Sequence, residues 1–214
     1  MHYVDELAAR ARVLAVTGSR RVLGIAGPPG AGKSTLAEAV VEALGGLAVL
    51  VPRDGFHLAD AELDRLGRAD RKGAPDTFDA YGYAALLARL RTPRAGETVY
   101  APSFERELEQ PLAGALPVAP ETPLVVTEGN YLLLDEAPWS TAVRPSLDEV
   151  WWVAVDEALR VERLIARHVA FGKSPSDARA WVLRSDETNA RRVASGQGRA
   201  DVVVDLDKGT VVTR

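Results

Sequence analysis

The sequence of 214 residues has no cysteine, only one methionine and no long apolar run. Because thiols are absent, disulfide bonds, thiolate catalysis and cysteine-based metal sites are excluded. The longest apolar segments, such as residues 150–155, are no longer than a strand, so no membrane span is predicted. The first residues show neither the basic start nor the apolar core of a signal peptide, and a cytoplasmic location is therefore expected.

Lysine is also scarce, since only four of the 26 basic residues are lysines, and the net charge is −4. A negative net charge disfavours a surface for nucleic acids or anionic membranes. The abundant arginines suit forked contacts to phosphate where they cluster. No internal repeat or low-complexity segment is present, and 47% hydrophobic residues are enough for the core of one domain spanning 1–214.

A complete phosphate-binding loop occupies residues 27–34, which read Gly-Pro-Pro-Gly-Ala-Gly-Lys-Ser. It follows an apolar strand at 21–26 and opens a helical stretch at 34–43. Such a loop points backbone amides at phosphates, while its lysine reaches the β/γ oxygens and its serine offers a hydroxyl to Mg²⁺. The pattern predicts a nucleoside triphosphate site formed by Gly27, Pro28, Pro29, Gly30, Ala31, Gly32, Lys33, Ser34 and Thr35.

Further apolar segments predict a sheet that is buried on both faces, because none of them alternates with polar residues. Together with 21–26 they are residues 47–51, 123–127, 149–155 and 201–206. The predicted fold is an α/β three-layer sandwich of the P-loop NTPase type, nucleotide-kinase-like, with a mainly parallel five-stranded sheet and a helical lid. Ligands of such sheets bind at the carboxyl ends of the strands, which makes Asp54, Glu128 and Asp156 candidate site residues.

Asp54 lies in the segment Arg-Asp-Gly-Phe-His, directly after the second predicted strand. In a dinucleotide-binding protein it would hold a ribose, but the sequence lacks the required Gly-x-Gly-x-x-Gly pattern. In a kinase its carboxylate would orient the attacking hydroxyl towards the γ-phosphate. A simple Asp-Gly turn is the alternative. His57 is a further candidate substrate contact, although a packing role fits it equally well.

Glu128 follows the third predicted strand in the segment Thr-Glu-Gly-Asn-Tyr, two residues before Asn130. Phosphate-loop enzymes keep at this place the carboxylate that holds Mg²⁺, directly or through water. Glu128 and Ser34 are therefore the predicted metal residues. Because glutamate is longer than the commoner aspartate, direct ligation, a water-mediated contact and a base-like role all stay open.

A helix predicted over 156–168 carries Arg160, Arg163 and Arg167 within one arc. The following loop, 171–177, contains the glycine and proline expected of a hinge. This pattern predicts a lid at about 157–195 whose arginines meet the transferring phosphoryl group. The alternative is that these arginines are solvated or paired with neighbouring glutamates.

The order of these motifs resembles the phosphate-loop kinase family that includes uridine kinase, phosphoribulokinase and type I pantothenate kinase. The resemblance is greatest to pantothenate-kinase-like proteins, including those labelled as kinases of fructose transport systems. The matching segments, which span most of the chain in the family's order, are 27–35, 54–58, 71–79, 99–106, 128–134 and 163–168.

This resemblance implies ATP and Mg²⁺ as cofactors, with Lys33, Asp54, Arg163 and Arg167 as catalytic residues. It further implies an acceptor-binding insertion at about 55–120. The residues expected to contact the acceptor are Asp54, His57, Arg71, Tyr100, Arg106, Glu128 and Asn130. Where pantothenate kinase carries a histidine, this sequence has Ala101-Pro102, which argues against pantothenate itself. Members of the family often form homodimers, so a homodimer is an expectation as well.

The predicted function is an ATP- and Mg²⁺-dependent kinase that transfers the γ-phosphoryl group to a hydroxyl of a sugar, a nucleoside or a pantothenate-like alcohol. A nucleotide-dependent regulatory switch is the first alternative, although the guanine signature Asn-Lys-x-Asp is absent. A transport ATPase would rest only on the fragment Ser-Gly-Gln-Gly at 195–198. A nucleoside monophosphate kinase would not need a carboxylate at Asp54, because its acceptor is already a phosphate.

Overall fold

Strands and helices alternate along residues 2–213, which are the residues that the computed structural model describes. The strands are β1 (Arg21–Ala26), β2 (Ala48–Leu50), β3 (Val99–Glu105), β4 (Gln110–Val118), β5 (Leu124–Gly129), β6 (Glu149–Ala154), β7 (Val202–Asp205) and β8 (Thr210–Thr213). The helices are α1 (His2–Ala15), α2 (Lys33–Leu44), α3 (Asp60–Arg65), α4 (Ala80–Arg91), α5 (Glu157–Ala170), α6 (Pro175–Trp181) and α7 (Glu187–Val193).

The main sheet has the strand order β2-β5-β1-β6-β7-β8 within the described residues. Its first five strands are parallel, and β8 pairs antiparallel with β7 at the edge. The five predicted strands are therefore the five parallel ones. The sixth, Thr210–Thr213, is mostly exposed and lacks the continuous apolar run by which the buried strands were recognised.

Helices cover both faces of the sheet, as the unbroken burial of β5 requires. Alternate residues of a strand point to opposite faces, and β1 shows this directly. Ile25 packs with Leu7 of α1 and Leu36 of α2 in one core cluster. Val22 packs with Leu87 of α4 and with Trp139 in the other. The result is the predicted three-layer α/β sandwich.

The strands β3 and β4 form a separate antiparallel hairpin that lies against residues 53–56. Gly55 makes this approach possible, because a Cβ atom at that position would lie 2.4 Å from the carbonyl oxygen of Pro102. The hairpin thereby covers the segment that contains Asp54. Across residues 2–213, none of the helices combines the length and the apolarity needed to cross a bilayer.

Candidate active site

The phosphate loop links β1 in the middle of the sheet to the start of α2. Gly30 and Gly32 have φ angles of 77° and 90°, a left-handed conformation that glycine adopts without strain. A side chain would also be blocked, since a Cβ atom on Gly30 would lie 2.7 Å from Leu164 and one on Gly32 would lie 2.9 Å from Leu206. The glycines therefore let the loop close tightly against the rest of the fold.

Lys33 is buried at the first position of α2, with 7% of its surface exposed. Its Nζ donates a hydrogen bond to the carbonyl oxygen of Pro28 at 2.9 Å. Within residues 2–213 it forms no ion pair with a carboxylate. Burial lowers the pKa of Lys33 to about 8, and the nearby Glu128 opposes this effect. A buried ammonium group whose charge is not neutralised by an ion pair fits a loop that binds an anion.

Ser34 and Glu128 meet because β1 and β5 are neighbours in the sheet. Ile25 is in register with Glu128, so the loop after β1 and the end of β5 lie side by side. The Ser34 hydroxyl donates to Glu128 Oε1 at 3.1 Å, and Glu128 is 5% exposed. The two residues predicted from separate motifs to hold the metal are thus in direct contact.

These residues fit a complex of a nucleoside triphosphate with Mg²⁺. The described residues contain no cluster of three or more histidine, cysteine or acidic side chains that would hold a metal by themselves. Mg²⁺ is usually bound by one or two protein oxygens together with substrate phosphates and water. One hydroxyl and one carboxylate beside a phosphate loop would provide the protein's share of such a site.

Asp54 lies after β2 in a short 3₁₀ turn, Arg53–Phe56. Its Oδ1 accepts a hydrogen bond from Arg53 Nη2 at 2.6 Å, and its Oδ2 accepts one from Arg106 Nη2 at 3.0 Å. Burial alone would raise the pKa of Asp54, but the positive charges of Arg53 and Arg106, and the charge that His57 carries when protonated at low pH, hold it far below its usual range. Asp54 is therefore a carboxylate at neutral pH, ready to accept a hydrogen bond.

His57 supports the Asp54 turn from its other side. Its Nδ1 lies 2.8 Å from the carbonyl oxygen of Asp54, and because a carbonyl only accepts, Nδ1 carries the proton. The ring packs between Phe78 and Phe104, with centroid distances of 4.0 and 4.7 Å. Burial lowers the pKa of His57 to about 4, so the ring is neutral at pH 7.

A cavity of about 540 Å³ joins the phosphate loop to Asp54 and to the hairpin. The predicted site residues that line it are Pro29, Gly30, Lys33, Ser34, Asp54, His57, Arg106, Glu128, Asn130 and Arg167. The other predicted loop residues, Gly27, Pro28, Ala31, Gly32 and Thr35, belong to the loop or to α2 but do not line this cavity. Donor-side and acceptor-side predictions thus converge on a single space.

The structure places two predicted acceptor contacts outside this cavity. Arg71 is paired with Asp76 at 2.9 Å and lines a second cavity of about 460 Å³. Tyr100 is 60% exposed, because its neighbours Val99 and Ala101 in β3 point into the core and alternation turns Tyr100 outward.

The three predicted arginines of the lid have three different environments. Arg160 is 4% exposed, pairs with Glu187 at 2.6 Å and reaches the carbonyl oxygen of Pro29. Arg167 lies one turn beyond the buried Leu164 and lines the cavity. Arg163 is rotated by about 60° from the face that contains Arg160, so it is exposed and lies outside the cavity.

Asp156, suggested by its place after a strand, caps a helix instead. Its carboxylate accepts a hydrogen bond from the backbone nitrogen of Leu159 at 3.1 Å at the start of α5. It does not line the large cavity.

Several cavity residues were missed from the sequence, among them Arg53, Phe104, Lys173, Trp181 and Asn189. Arg53 had a readable signal, since a charged residue stood beside Asp54 directly after an apolar strand. The others come from the hairpin and from the loop and helices after α5, and only the tertiary fold brings these segments to the sheet. Lys72 also lines the cavity, where its Nζ binds Asp60 Oδ1 at 2.6 Å.

Comparisons with known proteins agree with this geometry. The model of the "Phosphoribulokinase / Uridine kinase family" matches residues 22–209, a span that includes every site residue described above. The chain is 34% identical over 211 residues to "Putative uridine kinase C227.14" of Schizosaccharomyces pombe, covering 94% of this chain and 89% of that protein. It is 35% identical over 192 residues to "Uncharacterized protein YggC" of Escherichia coli, covering 87% of this chain and 78% of that protein.

Solved structures include a similar chain of comparable length. A "putative fructose transport system kinase" from Silicibacter sp. TM1040 is 34% identical, with a TM-score of 0.80, and the match covers 90% of this chain and 94% of that chain. The family model, which matches residues 22–209, spans the hairpin and the helices after α5 as well as the phosphate loop.

Proposed function

This chain belongs to the phosphoribulokinase / uridine kinase family and is an ATP-dependent small-molecule kinase, and we propose that Asp54 presents a hydroxyl of the acceptor to the γ-phosphate. The family resemblance and the fold class predicted from the sequence are thereby confirmed. One observation supports the proposed roles above all. Asp54, Lys33 and the Ser34–Glu128 pair, which come from three different strand ends, line the same cavity.

The donor side binds the triphosphate by charge and by backbone amides. Lys33 lies where it can meet the β/γ oxygens, and its burial strengthens that attraction by excluding water. Ser34 and Glu128 are the proposed protein contacts of Mg²⁺. When bound, Mg²⁺ neutralises the charge on the phosphates. Glu128 suits this role because burial and the charge of Asp54 raise its pKa, an effect that a divalent cation would reverse.

The acceptor side orients the hydroxyl. Asp54, held ionised by two arginines, accepts the hydrogen bond of the attacking hydroxyl and places its oxygen in line with the γ-phosphorus. Arg167, at the end of α5 and on the cavity wall, is the proposed contact of the transferring oxygens. Transfer is then a matter of position and charge: the phosphorus–oxygen bond to ADP breaks as the bond to the acceptor oxygen forms, and the hydroxyl proton leaves through the Asp54 carboxylate.

The walls beyond Asp54 suit a small polar acceptor. They combine the cations Lys72, Arg106 and Lys173 with the rings of Phe104 and Trp181. We propose a sugar, a nucleoside or a pantothenate-like alcohol, in which hydroxyl groups and an apolar face are both available for contact.

The decisive experiment measures ADP release in the presence of MgATP over a panel of pentoses, hexoses, nucleosides and pantothenate, with mass spectrometry of the product. An acceptor that gains one phosphoryl group supports the proposal. ADP release without a phosphorylated product from any member of the panel would contradict it and favour a regulatory ATPase. Phosphorylation of nucleoside monophosphates alone would indicate a monophosphate kinase.

A further inference from the structure

Arg53 is a buried cation next to the proposed catalytic carboxylate. It is 2% exposed, and its Nη2 donates to Asp54 Oδ1 at 2.6 Å. Its other two nitrogens, Nε and Nη1, are fully buried and have no hydrogen-bond partner within residues 2–213. Nitrogens without a hydrogen bond inside a protein cost free energy, so the residue is not explained by stability alone.

Aromatic rings take the place of the missing hydrogen bonds. The guanidinium carbon of Arg53 lies 3.8 Å from the ring centroid of Phe78 and 4.9 Å from that of Tyr131. The ring of Trp139 completes the enclosure at 5.9 Å. Cation–π contacts favour a desolvated arginine, and a planar guanidinium between rings has few alternative orientations.

The backbone at the end of β5 adds a further restraint. Gly129 directly follows Glu128, and a Cβ atom there would lie 2.8 Å from Arg53 Nε and 2.9 Å from its Cδ. Only glycine leaves room for the arginine side chain at this position. Arg53 is thus confined by three rings and by the strand end that carries the proposed metal residue.

A second buried arginine shows what a structural role looks like in this fold. Arg20 is 6% exposed and donates to four carbonyl oxygens, those of Leu90, Ala119, Pro120 and Thr122. Arg20 connects these segments because all three of its side-chain nitrogens donate hydrogen bonds. Arg53 instead directs one charged donor to one carboxylate oxygen and leaves its remaining donors to the rings.

We propose that Arg53 is a positioning residue that fixes Asp54 by its Oδ1, so that Oδ2 faces the acceptor hydroxyl. Oδ2 is bonded by Arg106, whose side chain is 39% exposed, and this oxygen retains a second lone pair with which it can accept the hydrogen bond of the hydroxyl. This inference rests on the proposed kinase function, since it assigns Arg53 a role that acts only through Asp54.

A double-mutant cycle tests this coupling with MgATP and the acceptor found in the panel. We expect Arg53→Met to lower kcat about tenfold or more, with the KM for ATP changed by less than about threefold. In an Asp54→Asn background the same substitution should change kcat by less than about threefold. Arg53→Lys, which retains the charge, should recover part of the lost kcat. Losses that multiply in the double variant, or no recovery by lysine, would overturn the proposal.

Arg20→Met is the matched control, because it removes a buried arginine far from the cavity. It should lower thermal stability, and any loss of kcat that accompanies this should multiply with the loss caused by Asp54→Asn. An Arg20→Met variant that reproduced the pattern of Arg53→Met would attribute the effect to folding and reject the positioning role.

A crystal structure of Arg53→Met gives a readout that needs no turnover. The Asp54 carboxylate should rotate away from its present orientation or occupy more than one, and an unchanged carboxylate would overturn the proposal. The proposed kinase function and the positioning role of Arg53 can therefore fail separately. If no acceptor in the panel is phosphorylated, the proposed function fails, while the crystal structure still decides whether Arg53 positions Asp54.

Discussion

At the scale of single residues, two carboxylates in one cavity have their pKa values shifted in opposite directions. Burial would raise the pKa of Asp54, but the cations Arg53 and Arg106, together with His57 once it is protonated at low pH, lower it. Burial raises the pKa of Glu128, and the charge of Asp54 raises it further. Opposite shifts of neighbouring acids usually accompany different roles. Here Asp54 suits a fixed hydrogen-bond acceptor, and Glu128 suits a carboxylate whose charge is stabilised by a metal.

Replacing Asp54 by alanine should separate binding from chemistry. The carboxylate faces the cavity beyond the phosphate loop, so the Kd for ATP should change by less than about threefold while kcat falls by roughly two orders of magnitude or more. Isothermal titration with a nonhydrolysable ATP analogue and steady-state kinetics give the two numbers. Normal turnover in this variant would remove Asp54 from its proposed role.

His57 should make the protein's stability depend on pH. Its pKa is about 4 in the folded protein, below the usual value of 6.5, so the unfolded chain binds more protons between these values. The free energy of unfolding should therefore keep its full value above pH 6.5 and fall by up to about 3 kcal/mol as the pH decreases towards 4. In His57→Phe, which keeps a ring between Phe78 and Phe104, the free energy of unfolding measured with urea should change less over this pH range than in the wild type. Equal slopes in both proteins would contradict the prediction.

At the scale of elements, the hairpin and the helices after α5 close the cavity by different means. The hairpin contacts the Asp54 turn through the backbone, where the Pro102 carbonyl lies over Gly55. The helix α5 is anchored through an ion pair, since Arg160 binds Glu187 near the start of α7. The backbone contact at Gly55 leaves no room for a side chain, whereas the ion pair depends on two buried side chains.

Gly55→Ala should therefore weaken acceptor binding without affecting the nucleotide. A Cβ atom 2.4 Å from a backbone oxygen has to displace the hairpin, which carries Arg106. We expect the KM for the acceptor to rise about tenfold, with the KM for ATP unchanged. Gly198→Ala is the control, because a Cβ atom there meets nothing within 4 Å. An acceptor KM as low in Gly55→Ala as in the control would disprove the role of this contact.

The ion pair between Arg160 and Glu187 should show the asymmetry of buried charges. Arg160→Met leaves the Glu187 carboxylate buried without its partner and should lower the free energy of unfolding by about 3–5 kcal/mol. Adding Glu187→Met should restore much of that loss, because two apolar side chains of similar volume can pack together. Urea denaturation measures both effects. A double variant less stable than Arg160→Met would contradict this account.

The sequence predicted those parts of the fold and of the site that depend on local signals, and it missed those that depend on how the elements pack. The five parallel strands and the phosphate loop were readable, because continuous apolar runs and a glycine pattern are local signals. Local spacing also correctly placed Asp54 and Glu128 at strand ends. It failed for Arg163 and Tyr100, since the side of α5 or β3 that faces the cavity depends on how that element packs. Trp181 and Asn189 reach the cavity only through contacts between distant segments.

At the scale of the whole molecule, the site gathers the ends of the neighbouring strands β2, β5 and β1 and is covered by segments from both halves of the chain. β1 lies between β5 and β6, so the loop that follows it is enclosed on both sides. The acceptor insertion at about 55–120, the lid at about 157–195 and the homodimer stay predictions.

Binding of MgATP should stabilise the whole fold by mass action. At a ligand concentration 100 times the Kd the gain is about 2.7 kcal/mol, which raises the Tm of a chain of this length by about 5–10 °C. Lys33→Ala should lose most of this shift, and chelation of Mg²⁺ should reduce it in the wild type. Differential scanning fluorimetry provides the measurement. A Lys33→Ala protein that is stabilised as strongly as the wild type would refute the phosphate-loop assignment.

The separation of the β3–β4 hairpin from the six-stranded sheet has a consequence for how new substrates are acquired. The donor residues lie around the six-stranded sheet, whereas the hairpin joins the core through Val99, Ala101 and Val118 and brings Phe104 and Arg106 to the cavity. Because the hairpin is proposed to face the acceptor, a transplanted hairpin that keeps those three core residues and the contact over Gly55 should redirect the same phosphoryl donor to a different alcohol.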